Sequence, residues 1–443
     1  MKRIYLLIFL RKLYSRQDTK AQRKNTLNLI QCFVSWCLCG VFLVLTPSNL
    51  AFGAEYHGLL SVEDYYSNDS SSAYNFNFLT TRLRLDATKL NEAGNLSFHF
   101  DGRERNNLGT KDYNSKYIKS ERIDTLNLEY AASERFYLAV GRMWPKELSL
   151  ERVDGFNIIF QSTTYGLGLF GGMKPNPYTE EFNSEYTTAG GYLFYRKEDT
   201  SASLAFASNG YKSGIDRQYI YGQLSSSLTK IIRFYGSVTA DNNQLTNNTD
   251  LTNLILELSF RPTYGRNLTF GYNQFRSFRL YKSMEFDIAN TEQQSYYVRG
   301  DYRFYDRYTL YGKYERQSLQ YRAYLTETKG SNIYQAGLRN DNLMNKDVTL
   351  DINAIMADSY SSSYNSYNVE AGKFFTERFQ MVFNGSYMQT KYTFTDYTDT
   401  VTNYGAYGYW FLSKKWNLSV SYDGRQGKDY STNTIISRIT YKF

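Results

Sequence analysis

The sequence predicts an all-β fold, a transmembrane up-and-down antiparallel β-barrel of about 22 strands (roughly 20–24). Segments in which apolar and polar residues alternate recur along most of the chain, and the connections between them alternate between tight turns and longer polar loops. The 443 residues include 44 Tyr and 29 Phe, although the mean hydropathy of −0.54 is polar. Aromatic residues are favoured in strands, and membrane barrels collect them at their interfaces, so this composition fits the predicted fold.

The alternation is clear in the segment that runs from residue 79 to residue 85. Leu79, Leu83 and Leu85 fall on one face of a strand, whereas Arg82 and Arg84 fall on the other. One apolar and one polar face fit a wall that has lipid on one side and water on the other. The same period occurs in residues 96–103, 253–260, 348–356, 379–387 and 416–423.

The connections fall into two classes that alternate along the chain. Tight turns are predicted at 91–94, 132–134, 198–200, 262–266, 305–307, 340–345, 376–377 and 413–414. Longer polar loops are predicted at about 65–75, 106–119, 173–186, 241–249, 276–293, 318–330, 391–401 and 425–432. An even number of strands places the first and the last strand end at the short-turn rim. The stretch 142–164 fits the strand pattern least well and is the candidate for a loop that folds inward.

The soluble alternatives are a β-sandwich, a β-helix and a propeller. Each of these would bury its apolar face and would show no systematic difference between the two rims. The chain has no repeat of fixed period, which argues against the propeller and the solenoid.

Residues 1–53 have the three parts of a secretory signal peptide. A basic segment precedes the apolar run 29–46, and Ala51-Phe52-Gly53 offers a cleavage site. We therefore predict that residues 1–53 are removed and that residues 54–443 form a single barrel domain. A membrane-anchoring helix is the alternative, because the apolar run approaches spanning length. All three cysteines lie in this segment, so the remaining chain has no disulfide and no cysteine metal site.

The formal charge of +8 comes almost entirely from this leader. It holds eight of the 51 basic residues and one of the 43 acidic residues, which leaves the predicted domain nearly neutral. A nucleic-acid-binding surface would need a basic body, so that class of function is excluded.

The candidate catalytic residues are few. Ser97, His99 and Asp101 share one strand face, but same-face neighbours on a strand stand about 6.5–7 Å apart, too far for mutual hydrogen bonds. The histidines are too few for a metal cluster, and no haem-attachment or phosphate-binding motif is present. The sequence therefore predicts no enzyme activity, no metal and no cofactor.

Charged residues on the polar strand faces are the candidate functional residues. In a barrel they would line the lumen, where channel water solvates them or opposite charges pair across the wall. Two roles remain open for them, the sorting of ions and small solutes or a salt-bridge lattice that braces the wall. The predicted lining residues are Arg82, Arg84, Asp86, His99, Asp101, Arg103, Arg299, Asp301, Arg303, Lys313, Glu315, Arg339, Asp351 and Glu370.

The last segment places Ile439, Tyr441 and Phe443 on one strand face. This ending resembles the terminal strand of bacterial outer-membrane β-barrel proteins of the porin-like superfamily. The resemblance implies that the barrel-assembly machinery reads these three residues. It also implies a location in the Gram-negative outer membrane, in contact with its lipid.

The stretch from Val140 to Gly172 also looks like porin-like barrels, some of which accompany multihaem cytochromes in electron conduits. The leading expectation is a porin-like channel for passive passage of small hydrophilic solutes or ions. The alternative is a barrel that acts as a sleeve for a multihaem cytochrome or another inserted protein.

Overall fold

The structure is a computed structural model that describes residues 53–70, 75–109, 121–148, 151–176, 179–243, 247–278, 280–283, 291–321, 328–359, 361–395 and 397–443. The predicted signal peptide lies outside these residues, apart from Gly53 at its end. Among the described residues, no helix is long and apolar enough to cross a membrane.

The described chain folds into strands joined by short turns and longer loops, with one 3₁₀ turn at Leu343–Asn345. The strands are β1 Glu55–Asp69, β2 Phe76–Thr88, β3 Leu96–Asn107, β4 Glu121–Ser133, β5 Phe136–Met143, β6 Val153–Gln161, β7 Tyr165–Met173, β8 Tyr186–Lys197, β9 Thr200–Tyr211, β10 Gly214–Ser227, β11 Ile232–Asn243, β12 Asn248–Thr263, β13 Arg266–Arg276, β14 Thr291–Phe304, β15 Tyr308–Tyr321, β16 Thr328–Asn340, β17 Val348–Asp358, β18 Ser362–Thr376, β19 Phe379–Tyr392, β20 Thr398–Phe411, β21 Trp416–Gln426 and β22 Ser431–Lys442.

Each strand pairs antiparallel with the next strand along the chain, and β1 also pairs antiparallel with β22. The sheet is therefore closed and contains 22 strands, which confirms the predicted up-and-down barrel. The first residue of β1 and the last residue of β22 lie at the rim that carries the short turns, which we call the turn rim. The opposite rim is the loop rim.

The inner face of the barrel is identified by the connection between β5 and β6, residues 144–152. In this connection, Glu151 accepts hydrogen bonds from Asn209 of β9 and Tyr219 of β10. The opposite face of β9 and β10 exposes Leu204, Phe206 and Ile220, as a lipid-facing surface does, so the segment lies on the side turned away from lipid. We call residues 144–148 and 151–152 the inward loop, and the sheet face that carries Asn209 and Tyr219 is the inner face.

The outer face carries the exposed aliphatic side chains and paired aromatic rings. Leu128, Val140, Leu204 and Ile352 are each at least half exposed, as the side chains of a lipid-facing surface are. Aromatic pairs occur on this face near both rims, where ring and hydroxyl suit the headgroup level. Those near the loop rim are Tyr272–Tyr296 and Tyr314–Tyr334, and those near the turn rim are Phe379–Trp410 and Trp416–Tyr441.

Besides the short loop-rim connections between β9 and β10 and between β17 and β18, two short turns were not predicted from the sequence, at residues 162–164 and 228–231. In the first, the Ser162 hydroxyl accepts hydrogen bonds from the backbone N–H groups of Thr164 and Tyr165. In the second, the Thr229 hydroxyl accepts hydrogen bonds from the backbone N–H groups of Ile231 and Ile232. Neither turn contains Gly, Pro, Asn or Asp, which are the residues that usually indicate a turn in a sequence. The only local signal for these two turns is a serine or threonine whose hydroxyl binds the backbone.

The closing seam brings together the two ends of the barrel wall. Gly58 and Phe443 exchange backbone hydrogen bonds of 3.0 and 3.1 Å between N–H and carbonyl oxygen. The Phe443 ring lies over Gly58, where a Cβ atom would overlap it, and stacks near Tyr441 at 5.9 Å between centroids. Ile439, Tyr441 and Phe443 all lie on the outer face.

Tyrosine side chains brace the inner face by packing over glycines of adjacent strands. In each case the ring lies over a glycine of the adjacent strand, and the hydroxyl donates a hydrogen bond to a residue one strand further on. A Cβ atom at that glycine would overlap the ring, so no larger residue fits without moving it. The three sets are Tyr192–Gly168–Asn157, Tyr297–Gly271–Glu257 and Tyr311–Gly337–Asp351.

We expect Gly337→Val to destabilise the barrel by about 2–4 kcal/mol, because the new side chain displaces Tyr311 and breaks its 2.6 Å hydrogen bond to Asp351. Urea unfolding in detergent measures this change. Gly330→Val on the same strand is the matched control, since a Cβ there meets only a backbone oxygen at 3.9 Å. Equal stability of the two variants would contradict the bracing role of Tyr311.

Candidate functional site

The inward loop packs its apolar and charged side chains against the inner face. Leu148 and Glu151 have no exposed surface, and Pro145 is also buried. Loops normally run over the protein surface, because buried polar groups need partners. The partners of Glu151 and Arg152 therefore decide how the inward loop is held.

Glu151 is held by two side chains of the barrel wall and by Lys174, which follows β7. The Tyr219 hydroxyl donates to one carboxylate oxygen at 2.7 Å, and the Asn209 amide donates to the same oxygen at 2.9 Å. The Lys174 ammonium lies 2.9 Å from the other oxygen. A fully buried carboxylate is stable only with such partners, so Glu151 anchors the inward loop to β9 and β10.

Arg152 forms a second anchor, to β4 and to the segment between β7 and β8. Its guanidinium forms an ion pair with Glu180, lies 3.7 Å from Asp124 and packs over the Trp144 ring at 5.6 Å. Burial and, secondarily, the nearby Arg142 lower the pKa of Arg152. The carboxylates of Asp124 and Asp154 oppose that shift in the pKa, and an arginine side chain stays charged in proteins, so the anchor is an ion pair of a charged guanidinium.

An apolar cluster covers the inner face from β5 to β10. It contains Leu148 of the inward loop and aromatic side chains of the wall, which are themselves almost completely buried. This part of the wall therefore does not face open water. The cluster consists of Tyr137, Ala139, Met143, Leu148, Val153, Ile159, Phe170, Tyr192, Phe194, Ala205, Ala207, Tyr219 and Tyr221.

A second segment after β13, residues 277–278 and 280–283, also folds back onto this side. Asp216, which is 3% exposed, accepts hydrogen bonds from the backbone N–H groups of Lys282 and Ser283, at 2.7 and 3.0 Å. The Ser283 hydroxyl donates to it at 2.6 Å. The Tyr281 hydroxyl donates to Asn243 of β11 at 2.9 Å. Within the described parts of the chain, neither this segment nor the inward loop forms a hydrogen bond or ion pair with β15–β22.

The sequence-predicted lining residues of β2 and β3 lie on the inner face and form two clusters. Asp101 accepts hydrogen bonds from both Arg82 and Arg84, at 2.7 and 3.1 Å. His99 contacts Asp86 at 2.7 Å. The sequence argues against Ser97, His99 and Asp101 as a catalytic set, and in the structure Asp101 and His99 are engaged by these other partners.

The predicted lining residues of β14–β18 also lie on the inner face, and most of them have partners. Ion pairs join Lys313 to Glu315 at 2.6 Å, Arg339 to Asp351 at 2.9 Å and Arg303 to Asp341 at 3.1 Å. Asp301 accepts a hydrogen bond from Asn267. These pairs have the form of a bracing lattice.

Three predicted residues, Arg103, Arg299 and Glu370, have no hydrogen bond or ion pair with any described residue. Arg103 is the direct cross-strand partner of Arg82 on one side and of Arg122 on the other. Three arginines thus form one row across β2, β3 and β4, which we call the arginine row. Like charges placed opposite one another are destabilising unless countered, and Asp101 and Asp124 supply the counter-charges at its two ends.

Sequence reasoning did not identify Arg122, Glu151 or Arg152 as site residues. Arg122 joins the arginine row through the pairing of β3 with β4, which has a register shift at Asp101 and Gly102 that local alternation does not show. Glu151 and Arg152 lie in the stretch with the poorest strand pattern, and that irregularity was the only signal for them. Among the described residues, no group of His, Asp and Glu side chains could hold a metal ion.

The closed sheet, its apolar outer face and its charged inner face define a transmembrane β-barrel whose interior is narrowed by an inward loop. No protein-family model matches the chain, and no curated protein matches it. Similar solved structures include OccAB4 of Acinetobacter baumannii, with 12% identity and a TM-score of 0.45, covering 90% of this chain and 100% of that chain. A BenF-like porin from Pseudomonas fluorescens Pf-5 has 9% identity and a TM-score of 0.48, with coverages of 89% and 99%. The outer membrane protein opdK from Pseudomonas aeruginosa has 8% identity and a TM-score of 0.45, with coverages of 88% and 99%. At this identity and TM-score, nothing about solute or partner is transferred to this chain.

Proposed function

We propose that this chain is a porin-like channel of the Gram-negative outer membrane, exported by its leader, that passes small hydrophilic solutes or ions passively. The observation that carries the proposal is the asymmetry of the interior. The inward loop and residues 280–283 pack on the β4–β11 side, whereas the inner faces of β14–β18, β2 and β3 carry charged side chains. A 22-stranded barrel encloses more space than its own side chains fill, so a water path along that charged wall is expected.

The position of the inward loop argues against the alternative function, a sleeve for an inserted cytochrome. A sleeve needs an interior free for its partner, whereas here Glu151 and Arg152 fix the inward loop within it. A narrowed interior suits small solutes better than an inserted protein. The channel is therefore the function that the geometry supports best.

Planar-bilayer recording of the purified, folded protein in a KCl gradient tests the proposal. We expect discrete conductance steps in the wild type, and their absence would overturn the channel. Arg103→Gln removes an unpaired charge from the lumen wall and is expected to lower the anion-to-cation permeability ratio about two- to fivefold, since one charge in a water-filled lumen contributes about 0.5–1 kcal/mol. Arg316→Gln is the control, because Arg316 is exposed on the outer face beside Tyr296.

A further inference from the structure

A row of neutral hydrogen-bonding side chains crosses four strands of the wall that is free of the inward loop. Asn353 of β17 pairs with Asn368 of β18, which pairs with Ser386 of β19, which pairs with Asn403 of β20. Each is the direct cross-strand partner of the next, so the four side chains share one face. We call these four residues the amide row.

The amide row lies on the inner face. The chain neighbours of its members point outward, as the exposure of Ile352, Val369, Tyr387 and Tyr404 shows. The row members themselves are half-buried. They are therefore accessible from the lumen, at the side of the barrel that no described inward segment contacts.

The side chains of the row bond to one another but keep spare capacity. The Asn368 amide donates to the Asn353 oxygen at 2.9 Å, and the Asn403 amide donates to the Ser386 hydroxyl at 2.9 Å. A side-chain amide has two N–H donors and an oxygen with two lone pairs. Asn403 uses one N–H in this way, and its oxygen accepts no hydrogen bond from any described residue.

The four members of the row are uncharged, and charged side chains flank them. Among the described residues, the inner face of β19 presents only uncharged side chains, from Gln380 to Thr390. Asp351, Glu370 and Asp423 lie one row below, the Asn353 amide donates to Asp351 at 3.3 Å, and Arg425 is the cross-strand partner of Asn403. The arginine row lies on other strands, β2 to β4. Because the row members carry no charge themselves, they bind a solute by hydrogen bonding.

We propose that the amide row is a binding track for neutral polyhydroxylated solutes, that is, sugars and polyols. This inference rests on the proposed channel function and names a solute class for it. Each hydroxyl of such a solute donates one hydrogen bond and accepts others, which matches amide groups that offer both. Exchange of water for amide partners is nearly balanced in free energy, so binding is weak and the solute can leave again, as passage requires.

The test compares D-glucose entry with ion conductance in the same preparations. Wild type, Asn403→Leu and Asn368→Leu/Asn403→Leu are reconstituted into liposomes for glucose swelling and into planar bilayers for KCl conductance. The ratio of glucose rate to KCl conductance is expected to fall about fivefold in the single variant and further in the double variant, since one hydrogen bond contributes about 1 kcal/mol.

Asn273→Leu is the matched control, because the Asn273 amide of β13 also donates to a serine of the adjacent strand, Ser295, on the inner face but outside the amide row. Its ratio should equal that of the wild type. A ratio that stays constant in the double variant, or that falls equally in Asn273→Leu, overturns the sugar track while leaving the channel intact. A wild type that conducts no ions and admits no solute overturns both proposals. Heat-modifiable gel mobility verifies that each variant is folded.

Discussion

Replacement of Glu151 by alanine is expected to raise single-channel conductance and open-channel noise, because it releases the inward loop. The change removes the acceptor of the Tyr219 hydroxyl and the Asn209 amide, which are 1% and 4% exposed. Buried donors left without an acceptor cost about 1–3 kcal/mol each, so docking of the inward loop should weaken by about 2–6 kcal/mol. The undocked population then rises by roughly 30- to 20,000-fold.

Two measurements detect this release. Planar-bilayer recording reports the conductance, and limited trypsin digestion of the folded barrel reports the accessibility of Lys146 and Arg152 in the inward loop. Glu147→Ala is the control in the same loop. Its carboxylate pairs with Arg196, whose side chain is 55% exposed, and such pairs contribute about 0–1 kcal/mol. If Glu151→Ala resembles the wild type in both measurements, Glu151 does not anchor the inward loop.

Phe443→Ser is expected to reduce the amount of assembled barrel in the outer membrane several-fold. The ring covers Gly58 and stacks near Tyr441 at the seam between β22 and β1, and its loss removes about 1–2 kcal/mol of apolar contact where the barrel closes. The amount of heat-modifiable protein in the outer-membrane fraction measures assembly. Lys442→Ser is the control, since Lys442 is the preceding residue and lies on the inner face.

A second variant separates seam packing from recognition by the assembly machinery. Gly58→Val displaces the Phe443 ring but keeps the Ile439, Tyr441 and Phe443 pattern unchanged. If these residues are read as a signal, Phe443→Ser should fold in detergent yet assemble poorly in cells. Gly58→Val should be impaired in both settings. Normal assembly of Phe443→Ser in cells would contradict both roles of the ring.

Strand existence and side-chain facing could be predicted because both are local properties. Alternation with period two is visible in any short segment, so the predicted inner-face residues, from Arg82 to Glu370, do share one face of the closed sheet. Turns with conventional signals were also found. The turns at 162–164 and 228–231 were missed because Ser162 and Thr229 act through a hydroxyl alone.

The partners of those residues could not be predicted in the same way. Whether a charge is paired depends on which strand lies beside it and at what register. Arg82 and Arg84 share Asp101 across the β2–β3 pairing, whereas Arg103 meets only other arginines in its row. Alternation along one strand does not indicate which residue of the neighbouring strand becomes the partner.

The amino-acid sequence by itself determined the fold class, the number of strands to within about two and the two chemically different faces of the wall, since alternation within a few residues reveals each strand and its faces. Only the tertiary structure decided what occupies the interior. The burial of Glu151 against Tyr219 and the alignment of Asn353 with Asn403 arise from segments far apart in the chain. Closure of the barrel brings such segments together, and that closure is a property of the whole set of strands.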